Sequence, residues 1–94
     1  MHLSEQVIDR SDQNRFELAV EGETAIAAYV REGEVLVFTH TEVPKALEGQ
    51  GIGSALIKGA LAHVRAVGGR FVPRCAFVKA YAERHPEVQD LLAA

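Results

Sequence analysis

The residues able to do chemistry gather around one stretch of this chain. Glycines 49, 51 and 53 fall within five residues, after Pro44 and Lys45 and directly before a run with helical spacing. Glycine has no Cβ, so the backbone N–H groups of such a loop can approach a ligand closely. Where the loop opens a helix, those amides point along the axis, and the macrodipole places about half a positive charge there. That combination suits a pyrophosphate, and Lys45 stands near enough in sequence to help. Three single residues flank the loop: His40 before it, Cys75 and Tyr81 after it. Histidine is the side chain whose unperturbed pKa lies near neutrality; an edge-strand histidine with a satisfied ring is the plainer reading of His40. A cysteine at a strand end opening a helix can have its pKa lowered by the dipole; a small buried hydrophobe is the plainer reading of Cys75. Tyr81 offers a phenol, or a ring that packs on a sheet.

Two nucleotide motifs do not fit the loop. A Walker A loop needs Gly-Lys-Ser/Thr, which is missing from the sequence. The dinucleotide fingerprint should follow the first strand of a parallel unit, whereas this loop follows an antiparallel meander. A plain strand-to-helix connection remains the simple alternative, although three glycines cost more chain entropy than it needs.

The elements that position these residues follow from periodicity. Arg15 to Val20 alternates, with Phe16, Leu18 and Val20 on one face. Thr24 to Val30 is apolar on both faces. Val35 to Val43 places Leu36, Phe38 and His40 on one face and Val35, Val37 and Thr39 on the other, so a covering layer is expected on each side. The short turns at Glu21-Gly22-Glu23 and Arg31-Glu32-Gly33-Glu34 predict an antiparallel meander. An earlier strand near Gln6 to Asp9 is compatible with the pattern. Pro44 ends the third strand. Ile52, Leu56, Ala60, Val64 and Val67, widened by Ile57 and Leu61, predict an amphipathic helix stopped by Gly68-Gly69. Arg70 to Arg74 reads as a short strand. Ala76 to Arg84 reads as a second helix with Phe77, Ala80 and Tyr81 on one side, and Val88, Leu91 and Leu92 pack as a last turn. The strand–helix–strand unit should place its strands parallel. The expected class is α+β: a mixed, mostly antiparallel sheet with a Gly-rich loop and central helix, then a parallel strand and C-terminal helix, all in one domain, 1–94.

Val43-Pro44 and Glu48-Gly-Gln-Gly-Ile-Gly-Ser-Ala-Leu56 resemble motif A of the GNAT superfamily of N-acetyltransferases, with Gly51 and Gly53 at its last two positions. Glu48 stands where that motif has Arg or Gln. Together with His40 to Pro44, Val72 to Cys75, Phe77, Tyr81 and His85-Pro86-Glu87, the loop resembles the short stand-alone, YjdJ-like subgroup, over roughly Thr24 to Leu92. The resemblance implies a minimal GNAT-like fold and an acyltransferase moving an acetyl group from acetyl-CoA to an amine. Thr41 and Val43 would then pair with the pantetheine arm. Glu48, Gly49, Gln50, Gly51, Gly53 and Ser54 would hold the pyrophosphate. The thioester would sit between His40, a base, and Cys75, which is an acyl-carrying nucleophile, a neighbouring thiol or packing. Tyr81 would protonate the leaving sulfur, although its spacing is one residue short of the commonest pattern. Arg74 and Lys79 would neutralise phosphate or remain solvated. The little chain between the first strand and the meander leaves an open acceptor side, suited to an amine on a small molecule or protein. The rival reading is a CoA-binding or protein-interaction module without turnover. Gly51→Val is expected to abolish coenzyme binding while the fold survives.

Composition narrows the remaining classes. Of 94 residues, 48% are hydrophobic and 24% charged, which is globular usage and excludes disorder. One Cys excludes a disulfide framework and a Cys-built zinc site. His2, His63 and His85 are dispersed, with His85 at a helix terminus, so no metal is expected. The net charge of −3 divides into −6 over residues 1–43 and +3 over 44–94. The acidic total disfavours nucleic acid, while the basic half suits a compact anion. No apolar run is long enough for a membrane span. The first ten residues do not read as a signal peptide, so a cytoplasmic location is expected. The oligomeric state is not specified.

Overall fold

Alternating apolar residues and tight turns lay down five strands. The computed structural model describes residues 3–93, so His2 lies outside the described residues. Strands β1 (Ile8–Arg10), β2 (Arg15–Val20), β3 (Glu23–Glu32), β4 (Val35–Glu42) and β5 (Arg70–Pro73) lie side by side in chain order. The first four pair antiparallel, and β5 pairs β4 in parallel. Helix α1 (Ile52–Ala66) connects β4 to β5, and α2 (Ala76–Arg84) follows. This is the mixed α+β arrangement that the periodicity predicts. The first strand starts two residues later than its pattern suggests. It joins β2 through a single 3₁₀ turn, Ser11–Gln13.

One core holds the layers together. Phe16 and Leu18 of β2, Tyr29 of β3 and Leu36 and Phe38 of β4 pack with Leu56, Ile57 and Leu61 of α1 and Val78 and Ala82 of α2. Burying each large apolar side chain contributes roughly 1.5–3 kcal/mol. The last 3₁₀ turn, Pro86–Leu91, adds Val88 and Leu91 to the same core. Leu92 then forms a parallel bridge with Phe71, which covers the outer edge of β5.

Three expectations about faces are corrected. Both helices join the same core cluster, so among the described residues no helix covers the other side of the sheet. Val37 is nonetheless 6% exposed, because Val30 and Val72 flank it across the strands; Val30 itself remains 51% exposed. Lateral contact replaces a second layer. Val67 falls just past the end of α1 and is 63% exposed. On α2 the buried residues are Val78, Tyr81 and Ala82, while Phe77 is 41% exposed.

A bulge then re-aims the end of β4. Tyr29 pairs with Phe38 and Ala28 with His40, so Thr39 is an extra residue in the ladder. One extra residue reverses which side chains face the core. His40 therefore lies on the helix-free face, not on the face of Leu36 and Phe38, and Thr41, opposite Ala27, turns to the core side. The ladder between β4 and β5 ends at Phe38↔Pro73, after which the Cys75 N–H donates to the Phe38 carbonyl at 3.0 Å. Strand β4 continues to Glu42 beyond its last β5 partner.

Candidate functional site

The glycine loop is built for backbone exposure. A 3₁₀ turn, Lys45–Leu47, buries Leu47 and anchors the entry. Gly49 and Gly51 have φ of +80° and +73°, in the left-handed region, and a Cβ on either would meet nothing within 4 Å. Both conformations favour glycine, and both leave open space where a ligand can approach. Gly51 is the N-cap of α1 and supplies no capping side chain. The first helical hydrogen bond runs from the Ala55 N–H to the Gly51 carbonyl at 3.0 Å. The amides of Ile52, Gly53 and Ser54 precede it and have no acceptor within the helix. They face a cleft of about 230 Å³, whose lining includes Val43, Glu48, Gly49, Gly51, Ser54 and Phe77. The Gln50 amide turns back to the Ala46 carbonyl at 3.4 Å. The positive φ also alters the meaning of Gly51→Val: a β-branched residue there strains the loop itself, so loss of binding would not isolate the ligand contact.

Gly53 has a different reason to be glycine. A Cβ there would lie 2.6 Å from the Phe77 ring. Phe77 thus packs over the first turn of α1 and forms a wall shared with a second cavity of about 70 Å³. Ser54, Phe77, Ala80, Tyr81, Arg84 and His85 line that cavity. Inside it the Tyr81 and His85 rings stack at 3.8 Å with a 12° interplanar angle. His85 Nδ1 lies 2.7 Å from the Tyr81 carbonyl. Burial, with a smaller contribution from Glu87, raises the Tyr81 pKa, so the phenol keeps its proton at neutral pH.

Cys75 sits where β4 and β5 part. It is the N-cap of α2 and is half-buried. Its Sγ lies 3.2 Å from Thr41 Oγ1. Burial pushes the thiol pKa up. The Thr41 hydroxyl and the peptide groups of Val78, Phe77 and Thr41 together outweigh burial, and the thiol titrates below its ordinary value. The bulge is what delivers Thr41 to Cys75. On the other face, His40 Nε2 meets Glu42 Oε2 at 2.9 Å, with both side chains exposed. A carboxylate only accepts, so Nε2 carries a proton, and in the neutral ring the lone pair is on Nδ1.

The structure therefore groups Val43, Glu48, Gly49, Gly51, Gly53 and Ser54 in one cleft, with Tyr81 in the adjoining cavity and Thr41 against Cys75. His40 stands apart, across the sheet. Lys79 lines a separate groove with Pro73 and Leu92. Sequence reasoning placed Phe77 in the helix stripe and in the family resemblance but gave it no site role, and it missed the Thr41–Cys75 pair. The pairing of Phe77 with a glycine notch carries no periodic signal. The Thr41 contact depends on a bulge that alternation alone does not announce. Among the described residues no group of three or more potential ligands could hold a metal, and no helix is long and apolar enough to cross a membrane.

A family model described as GCN5-related N-acetyl-transferase matches residues 15–91. No curated protein matches the chain. The NMR solution structure of a GCN5-like protein from Staphylococcus aureus is similar over 97% of this chain and 90% of its own, with 24% identity and a TM-score of 0.72. That likeness extends to the fold.

Proposed function

This chain belongs to the GCN5-related N-acetyltransferase family, and on that premise we propose that it transfers an acetyl group from acetyl-CoA to an amine. The observation that carries the reading is the trio of amides at the mouth of α1, free of helical acceptors and facing an open cleft beside the parting of β4 and β5. A pyrophosphate fits these donors, and Gly49 and Gly51 leave the space it needs. The pantetheine arm would add to the edge of β4 between Thr39 and Glu42, as an extended peptide adds to a sheet. Its thioester would then reach the level of Thr41 and Cys75.

The two sides of the sheet divide the work. On the helix side, Cys75 and Thr41 border the sulfur and carbonyl. On the open side, an incoming amine meets His40, whose Nδ1 is the basic nitrogen and whose ring Glu42 orients. The amine nitrogen bonds to the thioester carbon as the C–S bond breaks. Tyr81, protonated at neutral pH, is the proposed acid for the departing thiolate. The open face is consistent with an exposed amine on a small molecule or a protein.

Acetyl-CoA titration, with acceptor-dependent thiol release measured over a panel of amines, tests the reading. His40→Gln is expected to lower kcat by about 100-fold with coenzyme affinity unchanged. Mass spectrometry of protein incubated with acetyl-CoA alone distinguishes the routes: an acetyl group on Cys75 indicates a covalent intermediate, and none with full turnover indicates direct transfer. Coenzyme binding without thiol release for any amine would instead support a non-catalytic binding module.

A further inference from the structure

Resting on the reading of His40 as the base, we infer that the acceptor is a zwitterion: its amine meets His40, and a carboxylate at its far end is held by Arg10 and Arg15. The pairing register sets these residues in line. Arg10 pairs with Arg15, Arg15 with Ala28 and Ala28 with His40, one row across four strands. Ile8, Glu17, Ile26 and Glu42 form the adjacent row. Both rows lie on the helix-free face, since the alternate residues of β2, Phe16 and Leu18, are the buried ones. Neighbouring strands lie about 4.8 Å apart, so the backbones at His40 and Arg15 stand about 10 Å apart. An arginine side chain is long enough to cover part of that distance.

The two ends of the row carry opposite charge. Glu17 Oε2 accepts from Arg15 Nε at 2.8 Å, and Oε1 accepts from Arg10 Nε at 3.3 Å. Two guanidiniums on one carboxylate leave a surplus positive charge. Each arginine uses only its Nε, so among the described residues no acceptor meets the Nη groups. Guanidinium forks held in this way match a carboxylate. The pair is not part of a general basicity: residues 1–43 hold nine acidic and three basic side chains, and two of those three are Arg10 and Arg15. At the other end the Glu42 carboxylate, 63% exposed, stands beside His40 and attracts an arriving ammonium. Ala28 and Ile26, both half-buried, lie between and offer an apolar floor for methylene groups. A terminal amine, a short alkyl chain and a carboxylate match the three parts in order. A diamine does not, because its second cation would face the arginines.

Acetyl transfer to ε-aminocaproate, pentylamine and cadaverine tests the assignment, because the three acceptors differ only at the far end. The unsubstituted protein is expected to show a kcat/KM for ε-aminocaproate about tenfold above that for pentylamine, as one charge-assisted hydrogen bond supplies. Cadaverine should be the poorest. R15Q should raise KM for ε-aminocaproate about tenfold at constant kcat, and R10Q/R15Q should bring it level with pentylamine. NMR of the arginine side chains reads the clamp without turnover: ε-aminocaproate should shift the Nε–H resonances of Arg10 and Arg15, and pentylamine should not. Equal kcat/KM for ε-aminocaproate and pentylamine, or arginine resonances that do not move, would overturn the zwitterion assignment and leave the acetyl-CoA reading standing on the amines that are acetylated. Shifted arginines with no amine acetylated would overturn the transfer reading, and the acceptor assignment with it, and leave only the anion clamp.

Discussion

Ser54 stands exposed in the first turn of α1, where a carboxylate and a bound anion would compete for the same amides. Ser54→Asp is therefore expected to act in opposite directions on stability and binding. A negative charge in the first turn stabilises a helix by about 0.3–1 kcal/mol, so the melting temperature should rise. Acetyl-CoA affinity should fall by at least about tenfold, read by calorimetry on the same sample. A fall in both would point to damage rather than competition. At Cys75 the prediction concerns pH. The thiol is held below its ordinary value, so its alkylation rate should reach half-maximum at a lower pH than that of an unstructured cysteine peptide measured alongside it. Thr41→Val removes the hydroxyl at 3.2 Å and should move that midpoint upward. An unchanged midpoint would show that the Thr41 contact does not govern the thiol.

Between elements, close approach is decided by missing methyl groups. A Cβ on Gly59 of α1 would collide with the Ser4 carbonyl and lie 2.5 Å from Val7 Cγ2. Gly59 is thus the notch into which the N-terminal 3₁₀ turn, Leu3–Gln6, docks. Gly59→Ala gains about 1 kcal/mol in helix propensity but overpacks the seam, which costs roughly 1–3 kcal/mol. The net expectation is a loss of about 1 kcal/mol, with faster amide exchange confined to residues 3–7 and the adjoining face of α1. The strands and both helices were legible in the sequence because each carries its own period: two for β2, 3.6 for α1. Which face each element presents was less so. Phe77 satisfies a helical stripe as well as Val78 does, and only the position of α2 over α1 selects Val78 for the core. His40 satisfies a two-residue alternation until Thr39 is added to the ladder.

Across the whole molecule, two phenols tie the fold to pH. Burial raises the Tyr29 pKa, and the hydrogen bond and charge of Asp9, 2.6 Å from its hydroxyl, raise it further. Tyr81 is raised by burial and then by Glu87. An unfolded tyrosine ionises near pH 10. The folded groups ionise higher, so their stabilisation is complete below about pH 10 and is lost as pH climbs toward the folded values. Thermal melts should show a steep decline above pH 10. Tyr29→Phe should lower stability at neutral pH by about 1–2 kcal/mol, because Asp9 loses its hydroxyl donor and keeps only the longer contact to His63 at 3.4 Å, and should make the alkaline decline shallower. The same scale explains the charge division: the acidic residues lie mostly in the strand meander, and the basic excess follows in the portion that carries the glycine loop and α2.

The sequence by itself determined the order of elements, the glycine loop at the mouth of α1 and the family resemblance, because periodicity, glycine content and motif spacing are local properties of the chain. Tertiary structure decided which chemistry meets which. A single unpaired residue in β4 sent His40 to one side of the sheet and Thr41 to Cys75 on the other, and the placement of α2 over α1 brought Arg84 and His85 alongside Ser54. Such contacts join residues thirty or so positions apart, and no pattern within a short window can specify them.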